Sequence, residues 1–442
     1  MSDSSHHSRR GVLKASAVIA GTAMVNSFVA QTAHAASGDT IKVGLIGCGG
    51  RGSGAAMQAL KVDGPVEITA VADAFANNAH NAVNGLKKQF EKNPERVKVT
   101  EDTIFTGFDA YKKVIDSGID LVIIATPPGF RPIHFEYAVK QGKNIFAEKP
   151  VATDAAGIRQ FLAAAAEAKK KNLKVGIGLQ RHHQAPYIDT IKRLQDGAIG
   201  DIILMRAYWN GTRPWVRQRA KLMQENPKLT EMEYQMRNWY YFNWLCGDHI
   251  NEQHIHNLDV INWLKNGHPV EAQGVGGKQV DTGIDSGEIY DHHMVEYTYK
   301  DGSKLLSECR HQQGTWQSVS EHAHGTKGNA DISGHHFTMH DGSKWKSEAK
   351  GIDPYQQEHI DLQNAIRNSI EYSEAEYGAH STMTSILGRM ATYSGKICKW
   401  DDAIKKGPSI MPTDFSFDAK PPTVPDENGK YPVPMPGKYV PY

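Results

Sequence analysis

Cysteine is scarce. Only four occur among 442 residues, Cys48, Cys246, Cys309 and Cys398. They are far apart and form no C-x-x-C pair, so they fit no thiolate metal or redox motif, and a disulfide is permitted but not indicated. Net charge is nearly absent as well: 50 Lys and Arg stand against 49 Asp and Glu. Such a balance gives no reason to expect nucleic acid or an anionic membrane as a partner. No internal stretch approaches the ~20 apolar residues of a membrane span, so no integral span is expected in the mature chain. No sequence repeat is visible. Proline gathers late, at Pro412, Pro421, Pro422, Pro425, Pro432, Pro434, Pro436 and Pro441. A segment so composed is expected to run extended, as an arm over a neighbouring subunit or a loose end.

What is present suits a two-domain globular protein. The chain is too long for one core, and its 40% hydrophobic and 22% charged residues are ordinary. Near the start, Ser8-Arg9-Arg10-Gly11-Val12-Leu13-Lys14 is a twin-arginine pattern. A moderately apolar run, Ala15 to Ala30, follows, and Ala33-His34-Ala35 reads as a cleavage site. Residues 1–35 are therefore expected to be an export signal and the mature protein periplasmic.

From residue 41 to about 180, strands and helices alternate. Strand candidates are Lys42–Ile46, Val66–Ala72, Leu121–Ala125, Asn144–Ala147 and Lys174–Gly178, with helical stretches between them. This alternation predicts a doubly wound parallel sheet, a Rossmann domain. Residues 181–407 change texture. Ile202–Trp209, Ile289–Tyr299, Lys304–Arg310 and Ala330–Ile332 read as strands of an open, mostly antiparallel sheet in an α+β domain, with residues 408–442 as the arm.

The stretch GLIGCGGRGSG, residues 44–54, holds six glycines. Gly47, Gly49 and Gly52 fit G-x-G-x-x-G, with Gly50 and Arg51 inside the pattern, a strand before and a helix after. The first glycine makes the tight turn, the second admits a pyrophosphate, and the third lets helix and strand pack closely. Amide groups at the helix start then face the anion. Asp73 ends the next strand, where a carboxylate accepts the ribose hydroxyls and repels a 2′-phosphate. The expected cofactor is NAD, with NADP left open.

Two later segments, Gly142-Lys-Asn-Ile-Phe-Ala-Glu-Lys-Pro150 and the run from Gly247 to Leu264, complete a pattern. With the glycine loop, they make the chain resemble the glucose–fructose oxidoreductase and inositol dehydrogenase (Gfo/Idh/MocA) family over residues 41 to about 400. The resemblance implies a nicotinamide-dependent oxidoreductase of sugars or cyclitols, and the open antiparallel sheet with the proline-rich arm points to a homodimer or homotetramer. It implies that Lys149 contacts the reacting hydroxyl and that His256 transfers its proton. Glu252 stands where the family carries Asp, and Asp259 matches a substrate-positioning residue. Thr126, Pro127, Glu148 and Lys149 are expected against the cofactor; the match at His134 is looser.

The residues themselves support part of this. Lys149 follows a strand at the carboxyl edge of the sheet, where open α/β folds bind ligands. Glu252, His256, Asp259 and Trp263 are spaced 4, 3 and 4, which predicts one stripe on one helix. An imidazole whose tautomer a carboxylate fixes can remove a hydroxyl proton while hydride leaves. Arg181, Trp209 and Arg213, with the aromatic and basic residues up to Trp244, are candidates for sugar contact, by stacking and charge-assisted hydrogen bonds, or for core or interface packing. His249, His254 and His268 raise the thought of a metal, but no H-E-x-x-H occurs and none is expected. Two other functions remain open: an NAD-dependent glycosidase or epimerase using transient oxidation of a ring hydroxyl, and a non-catalytic sugar-binding protein.

Overall fold

A computed structural model describes residues 39–442; the twin-arginine segment and its cleavage site lie outside them. The first sheet has six parallel strands in the order β3-β2-β1-β4-β5-β6. They are β1 (Ile41–Ile46), β2 (Val66–Asp73), β3 (Ile104–Thr106), β4 (Leu121–Ile124), β5 (Asn144–Ala147) and β6 (Val175–Ile177). Between them run α1 (Gly50–Leu60), α2 (Ala76–Gln89), α3 (Ala110–Asp116), α4 (Arg131–Lys140) and α5 (Ala155–Lys170). The apolar run of β4 is fully buried because both its faces are covered. Leu121 and Ile123 join one core, with α1 and α2; Val122 and Ile124 join the other, with α3, α4 and α5.

The strand order reverses between β2-β1 and β4, and the glycine loop lies at that switch. Two of its glycines are required by packing. Gly47 has φ +93°, a left-handed conformation, and a Cβ there would meet the Ala125 backbone at 2.6 Å. A Cβ on Gly52 would lie 1.8 Å from the Gly47 carbonyl oxygen.

After α6 (Ala185–Gln195) the chain enters a nine-stranded sheet. Its strands are β7 (Ile202–Gly211), β8 (Glu271–Gly277), β9 (His292–Thr298), β10 (Lys304–His311), β11 (Ser318–Gly325), β12 (Gly328–Asp331), β13 (His336–Met339), β14 (Lys344–Lys346) and β15 (Cys398–Lys399). All pairs are antiparallel except β7 with β10. In β10, Leu305, Ser307, Cys309 and His311 point into the core and alternate with Lys304, Leu306, Glu308 and Arg310. The inner face is covered by α11 (Ile255–Lys265) and α13 (Ala375–Ser394), which is buried over nearly its whole length.

Four short helices lie between β7 and α11: α7 (Arg219–Glu225), α8 (Glu231–Arg237), α9 (Asn243–Cys246) and α10 (His249–Glu252). Two further helices complete the fold, α12 (Pro354–Arg367), which packs on α1, and α14 (Trp400–Lys406). No helix among the described residues is long and apolar enough to cross a membrane.

The proline-rich arm is not a loose end: it is bound along its own chain. The Thr230 hydroxyl donates to the Phe417 carbonyl at 2.5 Å, Gln235 Nε2 to Thr423 at 2.7 Å, and Tyr290 to Pro434 at 2.8 Å. Phe415 and Phe417 pack against Phe108, and Phe417 also against Phe75. Proline keeps the arm extended, and side chains of α8 and β9's approach satisfy carbonyls that have no ladder partner.

Candidate active site

One cavity of about 1180 Å³ runs along the carboxyl ends of the parallel strands. At one end it is lined by Gly47, Gly49, Gly50, Arg51, Gly52 and Asp73, and in the middle by Thr126 and Pro127. The other end holds Glu148, Lys149, Glu252 and His256. These four come from the end of β5, from α10 and from α11, so two separate parts of the chain meet across one space.

The glycine end fits a dinucleotide on observations of this chain. Nothing lies within 4 Å of a Cβ built on Gly49 or Gly50, in contrast with Gly47 and Gly52. Open space above a helix N-terminus is what a pyrophosphate needs. Asp73 accepts from the Cys48 amide at 2.8 Å, the Phe75 amide at 2.9 Å and Asn78 Nδ2 at 3.1 Å. Burial still raises its pKa above the ordinary carboxylate value, so further donors such as ribose hydroxyls would stabilise its charge.

At the other end, Lys149 Nζ donates to the Glu252 carbonyl at 2.6 Å and to its Oε1 at 3.2 Å. Both side chains are about one-seventh exposed, toward the cavity. His256 is 7% exposed, and its Nδ1 has no hydrogen-bond partner among the described residues. Burial, and then the cations Lys149 and Arg181, hold its pKa well below the ordinary 6.5. The imidazole is therefore neutral at neutral pH and able to accept a proton. Glu148 faces the other way: its Oε1 meets Arg51 Nε at 3.0 Å and ties the Glu-Lys-Pro turn to the glycine loop. Thr126 Oγ1 lies 3.3 Å from His134 Nδ1.

The expected single stripe on one helix is interrupted. The His254 amide bonds to the His249 carbonyl five residues back, and the His256 amide to Gln253 three back. The helical phase slips there, so Glu252 ends α10 and His256 lies in the first turn of α11. Asp259 does not line the cavity. Its carboxylate accepts from His182 Nε2 at 2.9 Å and from Ser381 at 2.7 Å, and it is 1% exposed. Arg181 is paired with Glu321, which is fully buried, and also lies outside the lining. Trp209 stacks behind His256, with ring centroids 5.9 Å apart. Arg213 pairs with Asp281 at 2.5 Å, away from the cavity. Within the aromatic and basic cluster, Trp244 and Tyr240 are core, whereas Trp215, Arg237 and Trp239 line the cavity.

Arg131 and Tyr355 are among the lining residues that the sequence did not announce. Arg131 opens α4, donates to the Pro150 carbonyl at 2.6 Å, and has its pKa pulled to about 10 by burial despite Glu148 and Glu252. Tyr355 comes from α12 and carries the Arg51 guanidinium 5.0 Å above its ring. Neither sits in a motif; only the return of α12 onto the first domain brings Tyr355 near.

Among the described residues one group has metal-ligand spacing, Asp248, His249 and His293, with ligating atoms within 4.8 Å of one another. It lies outside the cavity lining. Its carboxylate is engaged by hydrogen bonds from the Tyr393 hydroxyl at 2.5 Å, the Tyr290 amide at 3.0 Å and His249 Nδ1 at 2.8 Å. Burial opposes its charge, yet His293 and His249 hold its pKa well below the usual value. The backbone between Cys246 and Gln253 is thereby anchored under the site, as expected of a satisfied buried anion.

Residues 41–177 match the family model described as an oxidoreductase family with an NAD-binding Rossmann fold. Over its first domain the chain is similar to the Gfo/Idh/MocA family. Similar proteins include an inositol 2-dehydrogenase/D-chiro-inositol 3-dehydrogenase of Lactiplantibacillus plantarum, 25% identical over 273 residues. That match covers 60% of this chain and 64% of the relative. An inositol 2-dehydrogenase of Rhizobium meliloti is 23% identical over 290 residues, covering 65% and 74%. Among solved structures, the scyllo-inositol dehydrogenase of Lactobacillus casei with NAD(H) and scyllo-inositol aligns with a TM-score of 0.61 at 20% identity, over 82% of this chain and all of that one. The aldose-aldose oxidoreductase of Caulobacter crescentus complexed with glycerol aligns at 0.63 and 16%, over 81% and 99%. At these identities the likeness shows the two-domain fold alone.

Because His256 is neutral far below pH 6.5, the acid limb it imposes on kcat/KM is expected well below that pH. His256→Asn should lower kcat about a hundredfold and remove that limb. A pH–rate profile of both proteins checks this; a limb centred near 6.5 in the native protein would contradict it.

Proposed function

We propose that this protein is an NAD-dependent dehydrogenase acting on a secondary hydroxyl of a sugar or cyclitol. The observation that carries the reading is the meeting of Lys149, Glu252 and His256 in the same cavity that reaches Gly49 and Asp73. NAD, when bound along the glycine loop, supplies the hydride acceptor. Lys149 donates to the reacting oxygen and stabilises the negative charge that grows on it. The neutral His256 imidazole takes the hydroxyl proton. Glu252 fixes the Lys149 ammonium, and Arg131 keeps a positive charge beside both acids. Inositol dehydrogenases among the relatives support the substrate class.

The reading extends to cofactor retention. The Arg9-Arg10 segment supports export to the periplasm in the folded state. A protein there, away from a cytosolic nucleotide pool, works only if the cofactor stays bound and is reoxidised in place. Homodimer or homotetramer formation completes the proposal, supported by Val275 and Met294, which stand 69% and 37% exposed on β8 and β9.

Denaturing the purified protein and identifying the released nucleotide tests this, followed by a cyclitol and sugar panel read at the reduced-nicotinamide band. Stoichiometric NAD or NADH and a band that changes with one substrate class are expected. Protein free of nucleotide and inert to the panel would refute the reading. Aglycone release from aryl glycosides without net reduction would replace it by the redox-neutral one.

A further inference from the structure

The cavity has a wall that the first domain does not supply. Between β7 and α9 the chain runs through α7 and α8, placing Trp215, Lys221, Leu222 and Arg237 opposite Asp73, Phe75 and Phe108. Arg237 is the focus of this wall. Its guanidinium carbon lies 4.0 Å from the centre of the Phe75 ring. Glu233, one turn earlier on α8, accepts from its Nε at 2.9 Å and from a terminal nitrogen at 2.8 Å. Phe75 in turn contacts Phe417 of the arm at 5.4 Å between centroids, and Phe417 contacts Phe108 at 4.9 Å. Arginine, aromatic ring and arm thus form one stack beside the carboxylate of Asp73, two residues before Phe75.

We propose that Arg237 is an adenosine-binding residue: its guanidinium, held flat on Phe75 by Glu233, packs against the adenosine half of an NAD whose ribose sits on Asp73. The inference rests on the NAD reading above and names the part of the chain that retains the cofactor. The chemistry is suited to a purine. A planar, weakly hydrated guanidinium stacks well on an aromatic ring. Its charge is already matched by Glu233, so it is not free for a 2′-phosphate, and the Glu233 carboxylate beside it repels one. The arm supports the stack from behind, which gives Phe415 and Phe417 a place in cofactor binding without touching the nucleotide phosphates.

The test uses the full chain stripped of nucleotide, with NADH and its adenosine-free half, reduced nicotinamide mononucleotide, as probes. Arg237→Ala is expected to weaken NADH binding and speed its release about tenfold, while binding of the mononucleotide stays native. Retention of the mononucleotide shows that the variant is folded. Native NADH binding in Arg237→Ala would overturn the inference and leave the NAD reading standing. An equal loss of both probes would also overturn it, since the residue would then act on the whole site. A native protein that binds neither probe would overturn the NAD reading and this inference with it.

Discussion

Lys149→Met is expected to lower kcat about a thousandfold while the protein still binds NADH. The side chain is nearly conserved in volume, so the turn after β5 should keep its shape. What disappears is the one ammonium group that reaches both the cavity and Glu252, at 3.2 Å from Oε1 and 2.6 Å from the backbone carbonyl. The loss falls on the transition state, where the substrate oxygen carries most charge, and so on kcat more than on KM. Glu252 is partly exposed toward the cavity, so water can replace its lost partner and the variant should fold. Glu252→Gln should cost less alone and add little to Lys149→Met, because the two act as a unit. Single-turnover reduction of bound cofactor checks both. A Lys149→Met protein within about threefold of native would remove the lysine from the mechanism.

Gly49→Val and Gly52→Val should fail in opposite ways. Gly49 has φ −72° and ψ −174°, an extended conformation open to any residue, and its Cβ would meet nothing within 4 Å. The variant should fold with a native Tm when free of cofactor. Its side chain would then occupy the space over the α1 N-terminus, where backbone amides await the pyrophosphate. Loss of such charge-assisted hydrogen bonds should weaken NADH binding about a hundredfold. Gly52 is the reverse case. A Cβ there overlaps the Gly47 carbonyl oxygen at 1.8 Å, so α1 must move off β1, and the cost should be about 3 kcal/mol or more. Thermal unfolding without nucleotide and calorimetric NADH titration separate the two. Native affinity in Gly49→Val would mean that nothing binds across that loop.

The features legible in the sequence are those whose physics is local. The turn at Gly47, the acid at the end of β2 and the lysine after β5 each follow from a strand end and a few neighbours. The continuous run Leu121–Ile124 likewise announces a strand covered on both faces. Partnerships formed at a distance left no such trace. Asp259 and Arg181 carry the right chemistry for a substrate, but Ser381 and Glu321, more than a hundred residues away, engage them. Spacing alone also could not foresee the phase slip at His254, whose ring is engaged by Ser307 of β10 at 2.7 Å. The prolines of the arm dictate an extended path, and the Phe75, Phe108 and Phe130 surface, with Thr230, Gln235 and Tyr290, decides where it lands. Tyr355 and Arg237 belong to no motif and enter the cavity through tertiary packing.

The central claim is that a carbon-bound hydrogen of the substrate passes to the nicotinamide between Lys149 and His256. The direct measurement is isotope transfer: the protein with its oxidised cofactor is mixed with a cyclitol or sugar deuterated at the reacting carbons, quenched by denaturation, and the released nucleotide is weighed by mass spectrometry. Deuterium on the nicotinamide ring is expected with native protein, and about a thousandfold slower labelling with Lys149→Met. Product formed by the native protein with an unlabelled nucleotide would contradict it.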